Sequence, residues 1–264
     1  MKLSEIIKQV ETKCHSAFFF TPLLYPNSYS CLFLDPIEII TVSKKEDVKN
    51  HLELIDTYRQ KGLTGYSLIN YEAGYLFEKK LEKYLTGEVQ KLIRFFFFDD
   101  KNIIRLKPDE IEFDADDISK YSITDFKLNT SPEEFEKNFT KIKNYIREGD
   151  TYQVNYTFKG KFNFSGSYTS FFQHLLFNQT GKYSAFINDD DGFIISLSPE
   201  KFFSIKNNKI SSRPMKGTIE RGFNHESDLA SAQELVNSKK NRAENVMIVD
   251  LIRNDLGRLA EYGS

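Results

Sequence analysis

The chain has 264 residues, 40% hydrophobic and 28% charged, and a net charge of −2. That length supports one large or two ordinary domains with real cores. The charge balance lacks the basic excess of a nucleic-acid binder, and no apolar run approaches the length of a transmembrane helix. Residues 1–11 are charged and helical in pattern, unlike a signal peptide, so the cytoplasm is the expected location. The aromatic content is 24 Phe and 14 Tyr with no Trp, which favours bulky sheet cores. Cys14 and Cys31 stand in different segments without metal-ligand spacing and read as free thiols of a reducing compartment.

The first region is strand-rich. Runs 17–20, 30–34 and 37–42 are β-type, broken by Pro22, Pro26-Asn27 and Asp35-Pro36. Residues 44–61 have helical spacing, with Val48, Leu52, Ile55 and Tyr58 on one face and Gly62 as a stop. Residues 67–71 read as a further strand. The run 92–98, with four successive phenylalanines from Phe95, reads as a buried strand. Uncovered, it would be an aggregation hazard. Residues 102–106 are expected to pair with it across Asp99-Asp100-Lys101, and 107–120 reads as a polar connection.

Ser131, Pro132 and Glu134 form a sharp helix start. Phe135, Phe139, Ile142 and Ile146 make one apolar stripe, and Gly149 ends it. A boundary is expected just before Ser131, between a strand-rich region 1–128 and a second region 131–264. Beyond Gly149 an alternating run to Phe164 predicts a strand. Residues 168–178 predict a helix with Phe171, Phe172, Leu175 and Leu176 inward. Runs 183–187 and 193–197 predict a hairpin around Asn188-Asp189-Asp190-Asp191-Gly192. That acidic turn lacks the spaced ligands of a calcium loop and is expected to be solvated. A helix over 224–240 carries Leu229, Ala232, Leu235 and Val236 on one side. Residues 241–258 are apolar nearly all round and predict a buried helix or strand. The charges punctuating it, Glu244, Asp250, Arg253 and Asp255, need partners or a ligand.

The stretch 198–218 reads SPEKFFSIKNNKISSRPMKGT. Two short alternating runs, 201–205 and 209–212, flank Lys206-Asn207-Asn208 and predict a hairpin. Glu200 stands at its entry and Lys216 just past its exit. Folding back brings an acid and an amine towards each other beside Gly217, a usable acid and nucleophile pair. The plainer reading is two solvated surface residues, as most lysines and glutamates are. There is no glycine-rich phosphate loop, G-x-S-x-G elbow or H-E-x-x-H motif. His15, His51, His174 and His225 are scattered, so local spacing builds neither a zinc site nor a histidine triad.

Four segments in order resemble the chorismate-utilising enzymes: GDTYQVN at Gly149, SPEKF at Ser198, RPMKGT at Arg213 and AENVMIVDLIRNDLGR at Ala243. The last is long and highly specific. The resemblance implies an α+β fold of two packed, mostly antiparallel β-sheets with outer helices. Lysine at the position of Lys216 is similar to the aminodeoxychorismate synthases; anthranilate synthases and the isochorismate group usually carry alanine there. The implied reaction is 4-amino-4-deoxychorismate formation from chorismate and ammonia, on the route to p-aminobenzoate and folate. By this resemblance Lys216 attacks C2 of chorismate and Glu200 protonates the departing 4-hydroxyl. Glu244 matches a magnesium ligand, Gly217 lets the backbone approach the substrate, and Thr218 contacts it. Lys216 must be neutral to attack and Glu200 protonated to act, which calls for a dry pocket.

The resemblance also implies ammonia from a glutamine amidotransferase partner, because no glutaminase cysteine motif is visible. Members of the family continue well past Leu259, so the chain is expected to be a truncation or fragment with part of a site and negligible synthase activity alone. Missing strands would leave sheet edges and apolar faces uncovered. Two other functions stay open: anthranilate synthase component I, and a non-catalytic remnant that binds an amidotransferase or a metabolite.

Overall fold

The structure, a computed structural model, describes residues 1–25, 28–85, 91–113, 120–179, 181–261 and 263, with the backbone alone at 45, 46 and 49. The break expected at Pro26-Asn27 and the middle of the 107–120 connection lie outside these residues. Two antiparallel sheets pack face to face. The larger has the order β10-β9-β1-β2-β6, from Gly192–Ser198 (β10), Tyr183–Asp189 (β9), Ala17–Phe20 (β1), Ser30–Phe33 (β2) and Ile103–Leu106 (β6). The smaller is β3-β5-β4, from Glu38–Val42 (β3), Ile93–Phe98 (β5) and Thr64–Ile69 (β4).

Period-two alternation sorts the buried side chains of the larger sheet between two cores. Phe18, Phe20, Leu32, Phe186 and Leu106 face outward beneath two helices, Leu3–Thr12 (α1) and Tyr168–Asn178 (α4). Helix α1 contributes Leu3, Ile6, Ile7 and Val10, all fully buried; their spacing is one helical face. The alternate residues Ala17, Phe33, Ile103, Ala185 and Ile187 face inward, against Phe96 and Phe98 of β5. The odd positions of β5 turn the other way: Ile93 and Phe95 meet Val42, Ala73, Leu76 and Leu92, while Phe97 packs on Tyr58 of helix Lys45–Gln60 (α2). The four-phenylalanine run is therefore covered on both faces. Each such side chain contributes about 1.5–3 kcal/mol by leaving water.

The expected pairing of 92–98 with 102–106 does not form. Both edges of β5 are occupied, by β3 and β4. A 3-10 turn at Asp100–Asn102 instead sends β6 to the edge of the larger sheet, against β2. The boundary expected before Ser131 falls between strands of one sheet: β1, β2 and β6 precede it, β9 and β10 follow it.

The acidic turn between β9 and β10 is not simply solvated. Asp189 is 7% exposed and both its oxygens accept from the Arg94 guanidinium, itself 6% exposed. Arg94 shares the inward face of β5 with Phe96 and lies over that ring at 5.5 Å. Asp190 accepts from Lys91 Nζ at 2.9 Å and contacts His15 Nε2 at 2.5 Å; Asp191 accepts from Lys91 at 3.2 Å.

The remaining elements are more open. Tyr121–Leu128 (β7) and Gly160–Gly166 (β8) form a two-stranded ribbon. The strand expected to begin after Gly149 starts only at Gly160, and 152–159 runs without a ladder. Ser131 caps Pro132–Glu148 (α3) by accepting from the Glu134 N–H, and Gly149 closes it at φ 83. The α3 stripe is largely uncovered: Phe135 stacks on Phe139 and Tyr156, yet Phe135, Phe139 and Ile146 all stay exposed. His225–Asn237 (α5) and Lys239–Leu256 (α6) follow, divided at Ser238, whose Oγ accepts from the Asn241 N–H. The burial expected for 241–258 is not found, because α6 packs mainly against α5 and leaves Val246, Val249 and Leu251 exposed. Asp250 and Arg253 form an exposed pair at 3.1 Å, not an internal bridge. No helix among the described residues is long and apolar enough to cross a membrane.

The Arg94–Asp189 pair yields two expectations. Asp189→Asn leaves a guanidinium buried without its counter-charge and is expected to lower unfolding stability by about 3–5 kcal/mol in urea titrations. The double change Arg94→Met/Asp189→Leu is expected to recover most of that. A single-variant loss below about 1 kcal/mol would contradict this role for the pair. The second concerns pH. Burial raises the Asp189 carboxyl, but the Arg94 guanidinium and the Asp190 N–H outweigh it and hold it below the usual carboxylate range. The Lys91 ammonium, with His15, holds Asp190 down to about 2. Depressed carboxylates stabilise above their unfolded value, and that contribution is lost as pH falls through the folded value. The thermal midpoint should therefore hold from pH 7 to about 5 and fall from about 4 towards 2. Asp190→Asn should shrink that fall, and an equal fall in the variant would refute the assignment.

Candidate functional site

The candidate residues Glu200, Lys216, Gly217 and Thr218 lie on the 198–218 stretch, which main-chain contacts fold back on itself. Strand β10 ends at Ser198, whose hydroxyl accepts from the Glu200 N–H at 3.2 Å and donates to the Glu200 carbonyl at 3.1 Å. This closed turn fixes Pro199-Glu200. The expected hairpin follows as Ser204–Lys206 (β11) and Lys209–Ser211 (β12), shorter than the alternating pattern. Asn207 and Asn208 carry φ 50 and φ 58, as a two-residue hairpin turn requires. Ser212 Oγ donates to the Phe202 carbonyl at 2.7 Å and holds the two ends together.

That closure returns the chain to Glu200. Its Oε1 accepts from the Met215 N–H at 3.1 Å, so the carboxylate is tied to the residue preceding Lys216. Glu200 is exposed and Lys216 is half-buried. The dry pocket expected for this pair is therefore not formed by the described residues.

Gly217 then brings the segment against α6. Its φ is +81, and a Cβ there would lie 2.7 Å from Asn241 Cγ and 2.8 Å from Oδ1. Only glycine allows that backbone and that approach together. Asn241 lies in the first turn of α6, and Glu244 follows one turn on, on the same face. Glu244 is half-buried, with Lys240 Nζ 4.0 Å away. Glu200 is thus tied to the residue before Lys216, and Gly217 to the first turn of α6, one turn before Glu244; Thr218 follows, exposed.

Among the described residues, no His, Cys, Asp or Glu joins Glu244 in a group of three metal-ligating side chains. One carboxylate fits the sparse protein ligation that magnesium accepts when substrate oxygens and water complete its shell.

Three residues that sequence reasoning passed over shape this region. Asn241 is the surface against which Gly217 closes. Arg221 and Asp228 form a two-toothed pair at 2.5 and 2.6 Å, and the Asp228 carboxylate also accepts from the Gly222 N–H. This ties the exit of the stretch to α5, and the Arg221 guanidinium holds the Asp228 carboxyl below its usual range. The signal available for Asp228 was its place in the first turn of a helix capped by Asn224.

The chain resembles known proteins across this whole region. The chorismate binding enzyme family matches residues 22–264. Aminodeoxychorismate synthase component 1 of Klebsiella aerogenes is 43% identical over 139 residues, 53% of this chain and 31% of that protein. The anthranilate synthase component 1 of Saccharolobus solfataricus is 29% identical over 246 residues, 90% of this chain and 57% of that protein. The crystal structure of anthranilate synthase component I from Streptococcus pneumoniae superposes with a TM-score of 0.67 at 21% identity, covering 88% of this chain and 62% of that one. The match to the Klebsiella protein thus spans about a third of that relative's length, and the superposition extends the shared fold over 88% of this chain. With its two antiparallel sheets and its Lys216 segment closed against α6, the chain belongs to the chorismate binding enzyme family.

Proposed function

We propose that this chain is the lysine-bearing part of an aminodeoxychorismate synthase component 1, which converts chorismate and ammonia to 4-amino-4-deoxychorismate. The observation that carries the reading is the contact between Glu200 and the Met215 N–H, which sets a carboxyl group beside the Lys216-Gly217-Thr218 turn. The identity to relatives of that name, 40–43% over their aligned parts, supports it. The wider alignment with an anthranilate synthase component 1 favours the alternative product, anthranilate.

In this mechanism the Lys216 amine, in its neutral form, adds to C2 of chorismate. The ring double bonds shift, and the bond from C4 to its hydroxyl breaks. Glu200 supplies the proton with which that hydroxyl leaves as water. Ammonia then adds at C4, the double bonds shift back, and the Lys216–C2 bond breaks to regenerate the amine. Glu244 would be the protein ligand of a magnesium ion, whose charge would neutralise a substrate carboxylate. Gly217 would let the substrate lie against main chain, and Thr218 would contact it. Ammonia would come from a glutamine amidotransferase subunit. Since Glu200 is exposed and Glu244 belongs to no group of three metal-ligating side chains among the described residues, the 264-residue chain by itself is proposed to turn over chorismate negligibly.

The test uses the complete gene product with chorismate, ammonium and magnesium, its products separated and weighed. The aminodeoxychorismate mass is expected; anthranilate would select the alternative, and no amino product would overturn both. Lys216→Ala should abolish the reaction and the chorismate adduct on the tryptic peptide that carries it. Glu200→Gln should lower kcat about 10²–10⁴-fold.

Gly217→Ala is expected to lower stability by about 1–3 kcal/mol, because the new methyl group meets Asn241 and the backbone stays left-handed. Thermal unfolding checks this. Adding Asn241→Ala should recover the collision part only, and an unchanged midpoint in the single variant would contradict the close approach.

A further inference from the structure

A second cluster of chemically able side chains lies apart from the Lys216 segment, where the connection from α1 to β1 meets the turn between β9 and β10. Cys14 Sγ lies 3.6 Å from Asp190 Oδ1, and His15 Nε2 lies 2.5 Å from the same oxygen. All three ligand atoms are within 4.8 Å of one another. Neighbouring residues on extended chain point to opposite faces. His15 adopts φ 61, and this left-handed step lets Cys14 and His15 reach one carboxylate.

The cluster is braced from behind. Lys91 Nζ holds the other oxygen of Asp190 at 2.9 Å, so Oδ1 is the one turned to the thiol and imidazole. The His15 carbonyl accepts from the Tyr66 hydroxyl at 2.8 Å, and the imidazole packs on the Phe96 ring. Supporting groups of this kind set the orientation of metal ligands. Charge also suits a cation. Asp189, Asp190 and Asp191 are met by Lys91 and Arg94, leaving one negative charge. A Cys14 thiolate would make two, matching a divalent ion.

We propose that Cys14, His15 and Asp190 bind a zinc ion. Sulfur, imidazole and carboxylate together suit zinc over magnesium or calcium, which prefer oxygen alone. Tetrahedral zinc holds such ligand atoms about 3.3–3.6 Å apart, from its bond lengths. The sulfur–oxygen spacing already meets that value, and the imidazole needs to withdraw by about 0.8 Å. Binding releases the thiol proton to solvent and requires His15 Nε2 to give up the proton it presents to Asp190, the neutral ring keeping its proton on Nδ1; three protein ligands then leave the fourth position to water. The ion would clip the α1–β1 connection to the β9–β10 turn.

The experiment titrates reduced, metal-free protein with zinc against a chromophoric chelator, and with cobalt as a spectroscopic probe. One equivalent is expected, with a sulfur-to-cobalt charge-transfer band in the near ultraviolet. Cys14 is exposed, so Cys14→Ser should fold as the wild type does. That variant should weaken zinc at least tenfold and lose the cobalt band, whereas Cys31→Ser keeps both. Zinc should also raise the thermal midpoint of the wild type and leave that of Cys14→Ser in place. Absence of stoichiometric zinc binding, or equal affinity in Cys14→Ser, would overturn the proposal.

Discussion

The layer between the two sheets depends on one charged pair. Arg94 and Asp189 lie on the inward faces of β5 and β9, positions that alternation otherwise gives to phenylalanine, alanine and isoleucine. Two ions at such positions are tolerable only because each satisfies the other and the guanidinium spreads over the Phe96 ring. The pair therefore acts as a register pin. A one-residue slip of either strand would drive the charge into one of the apolar cores and strand its partner. The same pin holds the β9–β10 turn in place, so that Asp190 can meet Lys91 and His15.

The Lys216 segment is built on a different principle. Its members are brought together by main-chain contacts: a serine-closed turn at Ser198, a two-residue hairpin turn at Asn207-Asn208, and a glycine backed against Asn241. Such contacts need little surrounding core, which is why the segment keeps its shape while its side chains stay open to water. Glu200 accepts from an amide two positions from Gly217, and Gly217 meets the first turn of α6. Position along the backbone, more than burial, sets the proposed acid beside the amide that precedes Lys216.

The two halves of the chain differ in how their apolar faces are used. In the sheets and α1 the apolar faces are covered, down to zero exposure for Leu3, Ile6, Phe18 and Phe98. In α3 and α5 the stripes form at the expected spacing and remain largely uncovered, as with Phe139 and Leu229, and α6, expected to be buried, leaves Val246 open as well. Periodicity identifies a face that can be buried. It does not say whether another element lies opposite it.

Local structure was legible in the residues themselves. The helical pattern of α1, the Ser131 cap, the Asn207-Asn208 turn and the β-type runs of β1 and β9 each depend on side chains a few positions apart. Sequence motifs also marked Lys216, Glu200 and Glu244. What the tertiary structure decided was partnership. Strand β6 left β5 because β3 and β4 already held both its edges, and the acidic turn found cations because β5 crosses beneath it. Arg94 and Asp189 are 95 residues apart, His15 and Asp190 are 175 apart. Nothing in a short window encodes such meetings. They follow from closing long loops so that whole sheet faces leave water together, an energy that belongs to the assembled fold and to no segment alone.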